Sequence, residues 1–194
     1  MSKIFYIMGK SSSGKDTIFK ELLKVRPDLK TITLHTTRPI REGEQDGVDY
    51  HFVTEHEIAL LKAAGKVIEM RTYQTAHGPW TYATVHSKSL DPERFNYLTV
   101  GTPESFMELK KQFGENTVIP IYINVDDGIR LERALSRERK QENPKYAELC
   151  RRFLADEADF SPEKLHTAGI RHHFNNKDFE TCLKEILDYI GGVL

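Results

Sequence analysis

Nine consecutive residues near the N-terminus, Gly9-Lys10-Ser11-Ser12-Ser13-Gly14-Lys15-Asp16-Thr17, contain the spacing G-x-x-x-x-G-K. Such a loop can hold a polyphosphate, because the two glycines let backbone N–H groups converge on phosphate oxygens. Lys15 then adds a full positive charge at the outer phosphates. The flanks supply the context the spacing needs. Ile4-Phe5-Tyr6-Ile7-Met8 is an apolar run of strand length, and Ile18, Phe19, Leu22 and Leu23 follow at helical spacing. A helix beginning at the loop contributes its own partial positive charge to the same anion. Residues 9–17 are therefore expected to bind a nucleoside triphosphate. One position departs from the usual pattern: Asp16 stands where a Ser or Thr normally ligates magnesium, with Thr17 one residue later. Both are candidate metal ligands, since magnesium accepts carboxylates and usually keeps waters.

Two further stretches carry anion-binding side chains. The long polar segment Thr36–Asp49 holds Arg38 and Arg41, and a loop of that length inside a compact domain is usually functional or disordered. Arg133 and Arg137 are one helical turn apart and share a face, with Arg152 further on. Arg130 and Arg139 read instead as solvated charges on that basic helix.

The elements that must position these groups alternate between strand and helix, which predicts an α/β fold with a parallel sheet covered by helices. Leu29–Leu34 reads as a second strand. Thr54-Glu55-His56-Glu57 fits a capping box, and Gly65 ends that helix. Val67–Tyr73 and Trp80–Val85 read as strands joined by a turn at His77-Gly78-Pro79, and with Tyr50–Val53 they suggest a small inserted sheet. Trp80 is expected to pack inside it. Tyr97–Val100 and Val118–Ile123 resume the main sheet, with Thr102-Pro103 starting the helix between them. Asp126 to about Asp159 is helical with a break at Asn143-Pro144, Ile170–Phe174 is a last strand, and Phe179–Ile190 a last helix.

With 194 residues, 28 basic and 29 acidic, the net charge is −1, so nothing global argues for nucleic acid. Cys150 and Cys182 have no metal-ligand spacing and fit a reducing cytosol. No apolar run approaches a membrane span of about 20 residues. A cytoplasmic protein, monomer or homodimer, with no membrane partner is expected.

The segment Thr36-Thr37-Arg38-Pro39-Ile40-Arg41-Glu42-Gly43-Glu44-Gln45-Asp46-Gly47-Val48-Asp49-Tyr50-His51-Phe52-Val53 resembles the acceptor motif of guanylate kinases, T-T-R-x-x-R-x-G-E-x-D-G-x-D-Y-x-F-V. The resemblance extends weakly over nearly the whole chain. It implies a P-loop NTPase core, a three-layer parallel-sheet structure, with an inserted β-containing nucleotide lobe and a helical lid. The expected boundaries are a core at 1–34, 95–130 and 160–194, a GMP-binding lobe at about 35–90 and a lid at about 131–158. It further implies that Arg38, Arg41, Tyr50 and Tyr82 hold the acceptor phosphate. Glu69 and Thr84 would read guanine, whose N1–H and amine are two donors a carboxylate accepts together. Arg133, Arg137 and Arg152 would close over the triphosphate and, with Lys15 and Arg38, stabilise charge in transfer. Asn176 would lie beside the adenine. The implied reaction is ATP and GMP to ADP and GDP, with Mg2+.

Departures from the family pattern keep two other readings open. The family carries L-D-x-D where this chain has Leu98-Thr99-Val100-Gly101, and a hydroxyl residue where it has Leu34. Ribose 1,5-bisphosphate phosphokinases resemble guanylate kinases, carry G-K-D as here and also lack those acids. A catalytically inactive guanylate kinase-like binding module is the other alternative.

Overall fold

Every residue of β1, Ile4–Met8, is buried, as an apolar run must be when helices cover both faces of a parallel sheet. In the computed structural model, which describes residues 2–41, 43–75, 78–87 and 90–194, β1 is the centre of that sheet. It pairs in parallel with β7, Tyr97–Gly101, on one side and with β8, Val118–Asn124, on the other. Lys30–Thr31 (β2) and His173–Asn175 (β9) form the edges, giving the order β2-β7-β1-β8-β9.

Alternation along β1 divides the core. Phe5 and Ile7 face α1, Lys15–Val25, and α7, Phe179–Val193, through Ile18, Leu22, Cys182, Ile186 and Ile190. Ile4, Tyr6 and Met8 face α3, Pro103–Phe113, and the short α6, Pro162–Thr167, through Phe106, Leu109 and Leu165. The result is the expected three-layer α/β core. Side-chain caps fix the helix starts: Thr102 and Ser105 complete a capping box on α3, and Ser161 caps α6. The sequence reading did not include α6, although Ser161-Pro162-Glu163 is a helix-start signal.

One expected strand divides between two sheets. Of Leu29–Leu34, only Lys30–Thr31 pairs in the main sheet, with β7. Ile32 is buried and still donates to the Leu98 carbonyl of β7 at 3.3 Å, after which the chain, through buried Leu34, enters a second sheet at His35–Thr36 (β3). That sheet has the order β4-β3-β6-β5, with β4 His51–Phe52, β5 Val67–Thr75 and β6 Gly78–Val85. The α2 helix, Glu55–Ala63, carries the predicted Thr54–Glu57 capping box and packs Ile58 on Ala83 and Val85. Gly65 follows it at φ 66°, the left-handed position that ends a helix. β5 and β6 are longer than predicted. Gly78 and Pro79 open β6 rather than forming a turn, while His77 lies outside the described residues. Tyr50–Val53 shortens to the two residues of β4, and the last predicted strand shifts from Ile170–Phe174 to β9.

The long helical stretch breaks as predicted, into α4, Asp127–Glu138, and α5, Tyr146–Asp159, on either side of Asn143-Pro144. No helix of the described residues is long and apolar enough to cross a membrane.

Candidate active site

The loop between β1 and α1 is shaped by its glycines and by one strained serine. At Gly9 a Cβ would lie 2.7 Å from the Ile123 carbonyl oxygen, so only glycine fits there. Ser12 has φ 64°, a left-handed conformation costly for a residue with a side chain. Gly14, at φ 87°, caps α1, and a Cβ there would strike the Asn176 amide. Asn176 donates from Nδ2 to the Ser13 carbonyl at 2.8 Å, tying β9 to the loop. Its Oδ1 and the Ser13 hydroxyl are buried with no hydrogen-bond partner among the described residues, a hydroxyl that could donate to a phosphate oxygen and an amide oxygen that could accept from a base N–H. The residues present therefore fit a bound triphosphate nucleotide. Lys15 Nζ lies 3.6 Å from Asp16 Oδ1, and the Asp16 side chain is 78% exposed. Thr17 is exposed. The described residues hold no cluster of three or more His, Cys, Asp or Glu side chains placed to bind a metal ion.

A second group gathers on the small sheet. Arg38 is buried and grips Glu44 through two hydrogen bonds of 2.9 and 2.8 Å. Burial works against the Glu44 charge, yet the Arg38 fork and the Arg41 N–H hold its carboxyl below the ordinary value. Loss of water and the neighbouring Arg38 and Arg152 cations lower the pKa of Arg41. Tyr50 stacks edge-on against Tyr82, with ring centroids 5.9 Å apart. Burial, Tyr82 and the charge of Asp16 push the Tyr50 hydroxyl up to about 12.

Further along β5, Glu69 is 6% exposed, and each carboxylate oxygen accepts one bond, from Thr84 at 2.7 Å and from Arg71 at 2.9 Å. Arg71 was not among the residues singled out in the sequence, although it stands two positions from Glu69 on one strand face. Glu69 and Arg71 border a cavity of about 230 Å³, with Glu104, Ser105 and Glu108 of α3 opposite. At its rear the Tyr6 hydroxyl bonds Ser105 Oγ at 2.6 Å. That hydroxyl occupies the space a side chain at Gly101 would need, and Thr99 turns its hydroxyl onto the Ile32 carbonyl. The strand acids missing from the sequence thus have no room at position 101.

The third group comes from α4 and α5. Arg137 donates to Ser12 Oγ, Arg152 to Ser11 Oγ and Arg133 to the Asn176 carbonyl, each at 3.3 Å. A cleft of about 880 Å³ brings Ser11, Ser12, Asp16, Arg41, Arg137 and Arg152 to one space. Trp80, expected inside the small sheet, is half-buried and also borders this cleft. The solvated reading of Arg130 is overturned. It is 1% exposed, bonded to Asp127, Asp156 and the Ser11 carbonyl, whereas Arg139 is exposed as expected. The sequence signal for it was the Asp127–Arg130 spacing of one helical turn. Lys10 extends to Glu157, 2.5 Å away.

Compared with models of protein families, residues 1–191 match guanylate kinase. The guanylate kinase of Nitrosococcus oceani is 41% identical over 66 residues, 34% of this chain and 32% of that protein, so the match spans about a third of that relative. The guanylate kinase of Thermotoga maritima is 29% identical over 196 residues, covering 97% of this chain and 77% of that protein. Among solved structures, the crystal structure of guanylate kinase from Anaplasma phagocytophilum superposes with a TM-score of 0.65 at 19% identity, over 98% of this chain and 85% of that one. That likeness is one of fold.

Proposed function

The chain belongs to the guanylate kinase family, and from that premise we propose that it transfers the γ-phosphoryl group of ATP to GMP. The observation that carries this reading is the far end of the acceptor cavity. Glu69 is buried there with its two oxygens oriented by Thr84 and Arg71, and Glu104 and Glu108 stand opposite. Three carboxylates against one guanidinium favour a group rich in N–H donors, such as the guanine edge.

Arg38 and Arg41, with the Tyr50 and Tyr82 hydroxyls, would hold the acceptor phosphate. The bidentate Glu44 carboxylate on Arg38 stands in for its oxygens. The loop 9–17 and Lys15 would hold the triphosphate, with Asn176 beside the base. Magnesium, held with the phosphates by Asp16 and Thr17, would offset phosphate charge. Arg133, Arg137 and Arg152 would spread positive charge around the moving group and keep water out, while the acceptor oxygen is held in line with the γ-phosphorus.

The reading as a ribose 1,5-bisphosphate phosphokinase is favoured by Asp16 and by the absence of acids at Thr99 and Gly101. A sugar bisphosphate, however, would bring a second phosphate to the three carboxylates of the cavity, where like charges oppose it. The test is ADP release from ATP and magnesium with GMP, AMP, UMP or ribose 1,5-bisphosphate as acceptor. Turnover with GMP is expected; turnover with the sugar bisphosphate alone would overturn the reading, and none with any acceptor would favour a binding module.

A further inference from the structure

All three polar groups of Ser11 are held by α4 and α5. Its N–H donates to Asp156 Oδ2 at 2.7 Å, its carbonyl accepts from Arg130 Nε at 3.0 Å, and its hydroxyl accepts from Arg152 at 3.3 Å. Arg130 closes the ring by donating from Nη2 to the same Asp156 oxygen at 3.1 Å. The guanidinium is 1% exposed, lies 4.8 Å from the centre of the Phe153 ring and also meets Asp127 and Glu157. Burying a charged network of this kind adds little net stability, so its placement asks for another explanation.

The next residue supplies one. Ser12 holds φ 64°, and strained backbone persists only where its surroundings over-determine it. A residue gripped at both its N–H and its C=O immediately before Ser12, so that the peptide groups on both sides of it are fixed, does this. We infer that Arg130 and Asp156 are positioning residues: they lock the Ser11 peptide, impose the left-handed turn at Ser12, and so hold the phosphate loop ready while tying its shape to α5. Arg152 lies one turn before Asp156 on the same helix, so loop shape and lid position are set together. The inference rests on residues 9–17 being the triphosphate site and is independent of the acceptor.

The test is the affinity of the full chain for a fluorescent ATP analogue, without acceptor. Asp156→Ala and Arg130→Met should each weaken binding about tenfold, and the double variant should be no worse than about twofold beyond the weaker single. Asp156→Asn, whose amide oxygen still accepts the Ser11 N–H, should stay within about threefold of the parent. Adding Ser12→Gly to Asp156→Ala should restore most of the affinity, because glycine adopts this φ freely. GMP affinity should change less than about twofold throughout.

Parent-like affinity in Asp156→Ala would overturn the inference, as would Asn as damaging as Ala, additive losses in the double variant, no rescue by Ser12→Gly, or an equal loss of GMP binding. Should Arg130→Met fail to fold, the Asp156 and Ser12 variants decide alone. A parent chain that does not bind the analogue would instead remove the triphosphate reading, and this inference with it.

Discussion

Arg38 is buried, charged and satisfied by a carboxylate six residues away, so its position is fixed before any ligand arrives. Replacing it by methionine should lower turnover by about 10²-fold or more while ATP-analogue affinity persists, because the variant loses the charge proposed to stabilise the transferring group and leaves the proposed triphosphate site untouched. Arg38→Lys should rescue little, since an ammonium cannot reproduce the two-pronged contact seen with Glu44. Near-parent turnover in the methionine variant would remove Arg38 from the acceptor clamp. Gly9 makes an opposite demand, for the absence of a side chain. Gly9→Ala would press a methyl group on the Ile123 backbone, which cannot rotate away, and should cost about 1–3 kcal/mol in a denaturant titration together with ATP-analogue binding. Residues of these two kinds differ in how they show themselves in sequence. Gly9, Gly14 and Lys15 stand in a local pattern, whereas Arg130 acquires its role from Asp156 and Glu157, more than twenty positions away on another helix.

At the level of elements, caps and periodicity identified α1, α2, α3, α7 and the broken α4–α5 stretch, because those signals are local, while the short α6 was missed. The division of Leu29–Leu34 between two sheets was not legible, since Ile32 and Leu34 are as apolar and buried as strand residues and only their pairing differs. The short β3 and β4 also carry a titratable weak point. Their rings of His35 and His51 stand 4.6 Å apart, and His35 Nδ1 is buried with no hydrogen-bond partner among the described residues. Burial, and next the neighbouring His51, hold the His35 pKa below its ordinary 6.5, with Asp46 opposing. The folded chain therefore binds fewer protons here than the unfolded one. The contribution is intact above about 6.5 and declines as the pH falls through and below it. The urea midpoint should drop between pH 7 and pH 5, and His35→Gln should flatten that part of the profile; an unchanged profile would exclude His35 as its source.

Across the whole molecule, the two sheets are joined by two stretches, residues 32–34 between β2 and β3 and residues 86–96 between β6 and β7. The inserted sheet was legible from its strands, and the motif in residues 36–53 from its resemblance to the acceptor motif of guanylate kinases. The cavity that α3 completes was not, because Glu104, Ser105 and Glu108 face Glu69 only once β7 has brought α3 alongside β5. The positions of the two joining stretches also have a mechanical consequence. Arg38 lies four residues beyond Leu34, and Thr84 is the last residue but one of β6, so these two of the proposed acceptor contacts sit beside the fulcrum. The far end of the β5–β6 hairpin is the long arm of the lever. When the proposed lobe swings, the acceptor is carried through a short arc while the hairpin tip sweeps a wide one. A spin label on exposed Gln74 should accordingly move several times further from one on Lys20 than a label on Ile40 does when both nucleotides bind. Equal displacements would mean that the sheet translates instead of pivoting, and the acceptor would then travel the full distance with it.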